Sequence, residues 1–287
     1  MNSDKVYANT QRIKRVINMS GELNYAVLID ADNIAPKYIK TILNEIANNG
    51  IATYKRIYGN WTSPNLASWK DVLLENSIVP MQQYDYTTGK NSTDAAMIID
   101  AMDILYSGYV GGFCLASSDS DFTRLASRLR ESGMNVIGMG EKKTPIPFIK
   151  ACDQFKFLDA IYENTQSSPP KTEVAAQNRR PPEAKSEPVA VREDTKSENS
   201  QTDIATIKSE IEKIVQESSD EDGYMLASEL GNRLGKIFPD FDVRNYGKYR
   251  KLTDFLKSLN SLEIKVPKGN GSNNVKLVYV KFKTQQN

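Results

Sequence analysis

Short apolar runs alternate with amphipathic stretches over the first half of the chain, and that rhythm predicts a parallel α/β sheet. Residues 25–29 read as a buried strand; Pro36 then stands near a helix start, a periodic segment runs to Ala47, and Gly50 stops it. Residues 51–58 read as a second strand, with a helix around 66–74, a third strand at 78–81 and a helix from about 93 to 106. A strand at 112–116, a helix at 122–130 ended by Gly133, and a strand at 135–139 complete the series. Strand and helix repeated in this way build a parallel sheet with helices on both faces. Ligands of such sheets bind outside the carboxyl ends of the strands.

The rhythm then stops. Between 163 and 203 there is no Leu, Ile, Phe, Trp, Tyr or Met, and Pro169, Pro170, Pro181, Pro182 and Pro188 interrupt a polar mixture. Such a composition buries too little surface to offset its ordering entropy, so 163–202 is expected to be a disordered linker. Beyond it, Ile204, Ile207, Ile211, Ile214 and Val215 share one face of a helix over 204–216. Helices at 226–237 and 245–259 follow, and strands at 263–266 and 275–282 flank a turn rich in Gly and Asn. Three helices and a hairpin make the winged-helix layout. The expected organisation is an extension at 1–23, an α/β domain at 24–162, the linker, and a winged helix at 203–287.

Composition narrows the chemistry. The 287 residues contain no histidine, which removes Ser-His and Cys-His catalysis and mixed His zinc sites. A formal net charge of +1 excludes a globally basic polyanion binder, so nucleic-acid affinity must come from local patches. Cys114 and Cys152 are too few for a disulfide framework. No stretch reaches membrane-spanning length, and the first 23 residues, with Arg12, Lys14 and Arg15, lack an apolar signal core. A non-secreted cytoplasmic protein without membrane contact is expected.

The candidate chemistry is acidic. Asp30, Asp32 and Asn33 follow the first strand, Asp94 opens a helix, and Asp119 and Asp121 follow the strand at 112–116. Crowded carboxylates without basic partners repel, and a protein keeps them together mainly to hold a divalent cation. Each has an ordinary explanation alone: Asp94 and Asp121 suit a first helical turn, and Asp32 with Asn33 suits an Asx-turn. Their convergence on one sheet edge favours a single site in which Asp30, Asp94, Asp119 and Asp121 bind Mg²⁺ or Mn²⁺ for phosphodiester hydrolysis. Within the helix, Asp100 lies about 240° and Asp103 about 180° from Asp94. Asp103 therefore reads as solvated and Asp100 as a supporting group. Lys90, Lys142 and Lys143 are candidate contacts to substrate phosphates, while Arg56, Tyr58 and Trp61 either line a groove or pack. In the C-terminal domain, Arg244, Lys248, Arg250 and Lys251 interleave with Tyr246 and Tyr249, and the wing adds Lys265, Lys268, Lys276, Lys281 and Lys283. That pattern suits either a phosphate-binding surface or a solvated helix face with Tyr246 and Phe255 in the core.

The runs V-L-I-D-A-D-N, G-K-N-S-T-D-A-A-M-I-I-D-A-M-D-I-L-Y and S-S-D-S-D-F resemble the NYN domain, the PIN-like nuclease family that includes LabA-type proteins. The resemblance spans about 25–158 and implies a PIN-like α/β/α fold and Mg²⁺- or Mn²⁺-dependent cleavage of RNA. It implies Asp30, Asp94, Asp119 and Asp121 as acidic ligands and Asn33 as the polar partner of the first Asp. The stretches D-G-Y-M-L-A-S-E-L-G-N-R-L and F-P-D-F-D-V-R-N-Y-G-K-Y-R-K-L-T-D-F-L are similar to the OST-HTH or LOTUS domain, over about 203–283, and imply an RNA-binding winged helix.

The reading that follows is a metal-dependent endoribonuclease whose flexibly tethered winged helix recruits single-stranded or structured RNA, with homodimerisation left open. An inactive RNA-binding adaptor is the alternative from another class. A haloacid-dehalogenase-type phosphatase, suggested by D-x-D after the first strand, lacks room for the hairpin that family places after its nucleophile, since Pro36 and a helix follow directly.

Overall fold

The computed structural model describes residues 21–84, 92–166, 201–220, 222–247, 249–266 and 277–283. Lys90, Lys248, Lys268 and Lys276 lie outside the described residues, as does most of the expected linker.

Strands β1 (Leu23–Asp30), β2 (Gly50–Gly59), β3 (Val79–Gln82), β4 (Gly112–Ala116), β5 (Asn135–Gly140) and β6 (Gln154–Phe157) form one sheet in the order β3-β2-β1-β4-β5-β6. Every neighbouring pair is parallel. Tyr25, Val27, Ile29, Cys114 and Ile137 face a core closed by α1 (Ile39–Ala47) and α2 (Lys70–Asn76). Ala26, Leu28, Phe113, Leu115 and Val136 face the opposite core, closed by α3 (Ser92–Ser107), α4 (Thr123–Glu131) and α5 (Ile146–Ala151). Because both faces are covered, β1 and β4 read as continuous apolar runs rather than alternating ones. Both cysteines are free and buried.

Two elements were not anticipated. β6 is four residues long, and only Phe155 and Phe157 are buried, each ring packed edge-on against the other and Phe155 also against Phe148. The helix α6 (Leu158–Gln166) continues through 163–166, which the composition had assigned to the linker. Asn164 and Thr165 hydrogen-bond back to the carbonyls of Ala160 and Ile161, which carries polar residues into the last turn.

The C-terminal domain contains α7 (Ile204–Ser218), β7 (Met225–Leu226), α8 (Ala227–Ile237), α9 (Leu252–Ser258), β8 (Leu262–Lys265) and β9 (Tyr279–Phe282), with an antiparallel sheet ordered β7-β9-β8. Ile207, Ile211, Leu230, Leu234, Phe255 and Val280 form its core. The winged-helix layout holds, but the helix expected over 245–259 is broken. A 3-10 turn, Val243–Tyr246, ends at Gly247, whose φ of 119° is closed to side chains other than glycine's, and the α-helix starts only at Leu252. Among the described residues no helix is long and apolar enough to cross a membrane.

Candidate metal centre

After β1 the chain builds β2 and β3 on one side, then returns to place β4 against the other edge of β1. The carboxyl ends of β1 and β4 thus flank a topological switch point, where ligands of open α/β sheets bind. Ile29 pairs with Ala116 in this register, so Asp30 and Ser117 emerge opposite one another.

Asp30 is wholly buried. Its Oδ1 accepts from the amides of Asp32 at 3.0 Å and Asn33 at 3.3 Å. Its Oδ2 accepts from Asn33 Nδ2 at 2.8 Å and the Ser117 hydroxyl at 2.7 Å. A carboxylate offers about four lone-pair positions, and all four are taken. Burial raises the Asp30 pKa, the bonds from Ser117, Asn33 and the Asp32 amide oppose that rise, and the neighbouring Asp32 charge adds to it. Asn33 is therefore the partner of Asp30, held in an Asx-type turn. Ser117, buried and not anticipated as functional, also accepts from the Asp119 amide at 3.1 Å, so one hydroxyl ties the β1 and β4 ends together.

Asp94, Asp119 and Asp121 converge beside this unit, each offering a carboxylate oxygen within 4.8 Å of the others. Asp94 arrives in the first turn of α3; Asp119 caps the 3-10 turn Ser120–Phe122, its Oδ1 accepting from the Asp121 amide at 2.9 Å. Burial, then the charges of Asp30, Asp119, Asp121 and Asp32, push the Asp94 pKa up to about 6. Of the four acids expected as ligands, Asp94, Asp119 and Asp121 converge, whereas Asp30 is not among the converging three and both of its oxygens are already hydrogen-bonded. Three converging hard oxygen donors fit a divalent cation of the Mg²⁺ or Mn²⁺ kind.

Asp100 faces elsewhere: Arg56 and the Tyr58 hydroxyl both donate to it, clamping α3 onto β2. Arg56 and Tyr58 are therefore packing residues, and Trp61 donates its indole N–H to the Met81 carbonyl at 3.0 Å. Asp103 is exposed, as expected. Lys142 and Lys143 are exposed beyond β5; the Lys143 ammonium pairs with Glu141 at 2.9 Å and the Lys142 amide donates to Asp159. Arg250 and Lys251 are exposed, Arg250 reaching the Asn164 carbonyl at 3.5 Å. Arg244 is not a surface cation: its guanidinium is engaged by Glu45 and Asp242. The expectation of a phosphate contact there fails because its donors already face carboxylates.

The six-stranded parallel sheet with acidic side chains gathered at its switch point is an α/β fold of the PIN-like kind. Residues 24–159 match the family model of the NYN domain, and residues 202–273 match that of the OST-HTH/LOTUS domain. No curated protein matches the sequence. Among solved structures, a protein of unknown function from Vibrio parahaemolyticus is similar at 17% identity and a TM-score of 0.41, over 49% of this chain and 96% of that one.

Proposed function

We propose that the protein is a metal-dependent endoribonuclease, with RNA recruited by its winged-helix domain. The observation that carries this reading is the meeting of Asp94, Asp119 and Asp121, three acids from two separate segments, at the switch point of a nuclease-class fold. These three side chains would hold Mg²⁺ or Mn²⁺, which when bound supplies Lewis acidity and charge neutralisation for phosphodiester hydrolysis. Asp30 contributes its field from behind the trio, and its hydrogen bonds fix the two strand ends from which the ligands depart. Asn33 keeps Asp30 in place. Lys142 and Lys143, exposed beyond β5, would be contacts to RNA phosphates, and Arg250 and Lys251 are exposed cations of the winged helix that would serve likewise. Attack by water predicts products with a 3′-hydroxyl and a 5′-phosphate.

A phospho-aspartate route through Asp30 is disfavoured, because a nucleophile must be reached by substrate and Asp30 is wholly buried with both oxygens bonded. The test is cleavage of labelled single-stranded and hairpin RNA in Mg²⁺ or Mn²⁺. Wild-type protein is expected to cut, and Asp119→Asn or added EDTA to abolish cutting. Intact RNA throughout, with binding that Asp119→Asn leaves unchanged, would favour the adaptor.

A further inference from the structure

The C-terminal domain meets the nuclease domain along a surface formed by α1, β6 and α6. β6 is the outermost strand on its side of the sheet, and its Phe155 amide donates to the Pro239 carbonyl at 2.7 Å. Uncovered strand edges invite unwanted pairing, and here the other domain supplies the cover. Beside this bond runs a chain of four charges. Lys156 Nζ reaches Asp242 at 2.8 Å, Asp242 also accepts from Arg244 at 2.6 and 2.9 Å, and Arg244 forks onto both oxygens of Glu45 at 2.7 and 2.9 Å. Glu45 lies on α1, 199 residues away. The Glu45 and Asp242 side chains retain only 9% exposure each. Buried charges are tolerated when each is paired with good geometry, and this set of two acids and two bases is balanced. Burial works against the Asp242 charge, yet Arg244 and Lys156 outweigh it and hold its carboxyl well below the usual range.

The linker ends lie at the same place. Asn164, in the last turns of α6, donates to the Arg244 carbonyl at 2.8 Å, and Gln201, where the described chain resumes, donates to the adjacent Asn245 carbonyl at 2.8 Å. Thr202 follows, bonded through its amide and hydroxyl to Asp240. The separation of the two ends is therefore set by the contact between domains.

We propose that the α1, β6 and α6 surface is a docking site for the C-terminal domain of the same chain, and that residues 239–246 recognise it through the Glu45–Arg244–Asp242–Lys156 chain. The two domains then turn as one body and present the winged helix to the nuclease in a fixed orientation, instead of the free tether expected from linker composition. The proposal is independent of catalysis.

Backbone ¹⁵N relaxation on the full-length protein tests it. Wild type is expected to give one rotational correlation time for both domains. Glu45→Ala and Arg244→Ala are each expected to shorten that of the C-terminal domain severalfold while both domains keep dispersed, folded spectra. Glu45→Ala alters only the nuclease side, so its outcome stands even where Arg244→Ala harms the winged helix. Inserting about twenty Gly/Ser residues into the linker should leave the shared tumbling intact, because a flexible insert changes only the tether. A wild-type C-terminal domain that already tumbles faster, or shared tumbling that survives Glu45→Ala but is lost on lengthening the linker, would overturn the proposal.

Discussion

Asp94 sits half-buried among four other carboxylates, and its ionisation is opposed first by burial and then by their charge. Its folded value of about 6 exceeds the ordinary 3.8, so the charged form costs stability. That cost is absent in acid, grows as pH rises toward about 6, and is complete above it. In the presence of a chelator, Asp94→Asn should therefore melt higher than wild type near about pH 7.5, and the difference should shrink near about pH 4. Differential scanning fluorimetry reads this directly, and Mn²⁺ should reverse the ranking by stabilising the wild type more than the variant. Ser117 has a different role. Ser117→Ala leaves an Asp30 oxygen and the Asp119 amide each short of a partner, and should cost about 1–3 kcal/mol in urea unfolding. The acids at this site were legible in the sequence because the alternation of strands and helices brings Asp30, Asp94, Asp119 and Asp121 to one sheet edge, although each alone suits a turn or a first helical turn. Ser117 was not, although it stands within S-S-D-S-D-F, because its partner lies 87 residues away and only the strand register brings them together.

Among the elements, α3 matters most to the site, since it delivers Asp94 while Asp100 anchors it to β2 through Arg56 and Tyr58. Asp100→Ala leaves the partly buried Arg56 without its carboxylate and should destabilise the nuclease domain by about 1.5–3 kcal/mol, measured by denaturant unfolding. Gly247 governs the C-terminal domain. A Cβ there would meet nothing closer than 3.6 Å, so the cost of Gly247→Ala is conformational, about 1–3 kcal/mol, and should appear as a lower melting transition. Strands β1 and β4 were readable because burial on both faces leaves an unbroken apolar run. β6 was not, because Gln154–Phe157 is too short to signal alone and owes its strand geometry to β5 on one side and Pro239 on the other. The break at Gly247 was hidden by the helical spacing of the residues after it.

On the scale of the whole molecule, two domains were legible from composition, but their relation was not. Arg244 looks like a nucleic-acid contact when read with its neighbours Lys248, Arg250 and Lys251, and only the folded chain sets it against Glu45. A basic residue in a basic stretch carries no mark of its partner. The three-carboxylate centre remains the core of the functional account, and Mn²⁺ binding followed by electron paramagnetic resonance tests it most directly. The wild type should bind Mn²⁺, Asp94→Asn, Asp119→Asn and Asp121→Asn should each weaken binding at least about tenfold, equivalent to ~1.4 kcal/mol, and Asp103→Asn should leave it unchanged. Equal Mn²⁺ affinity in the wild type and in all three site variants would contradict the account.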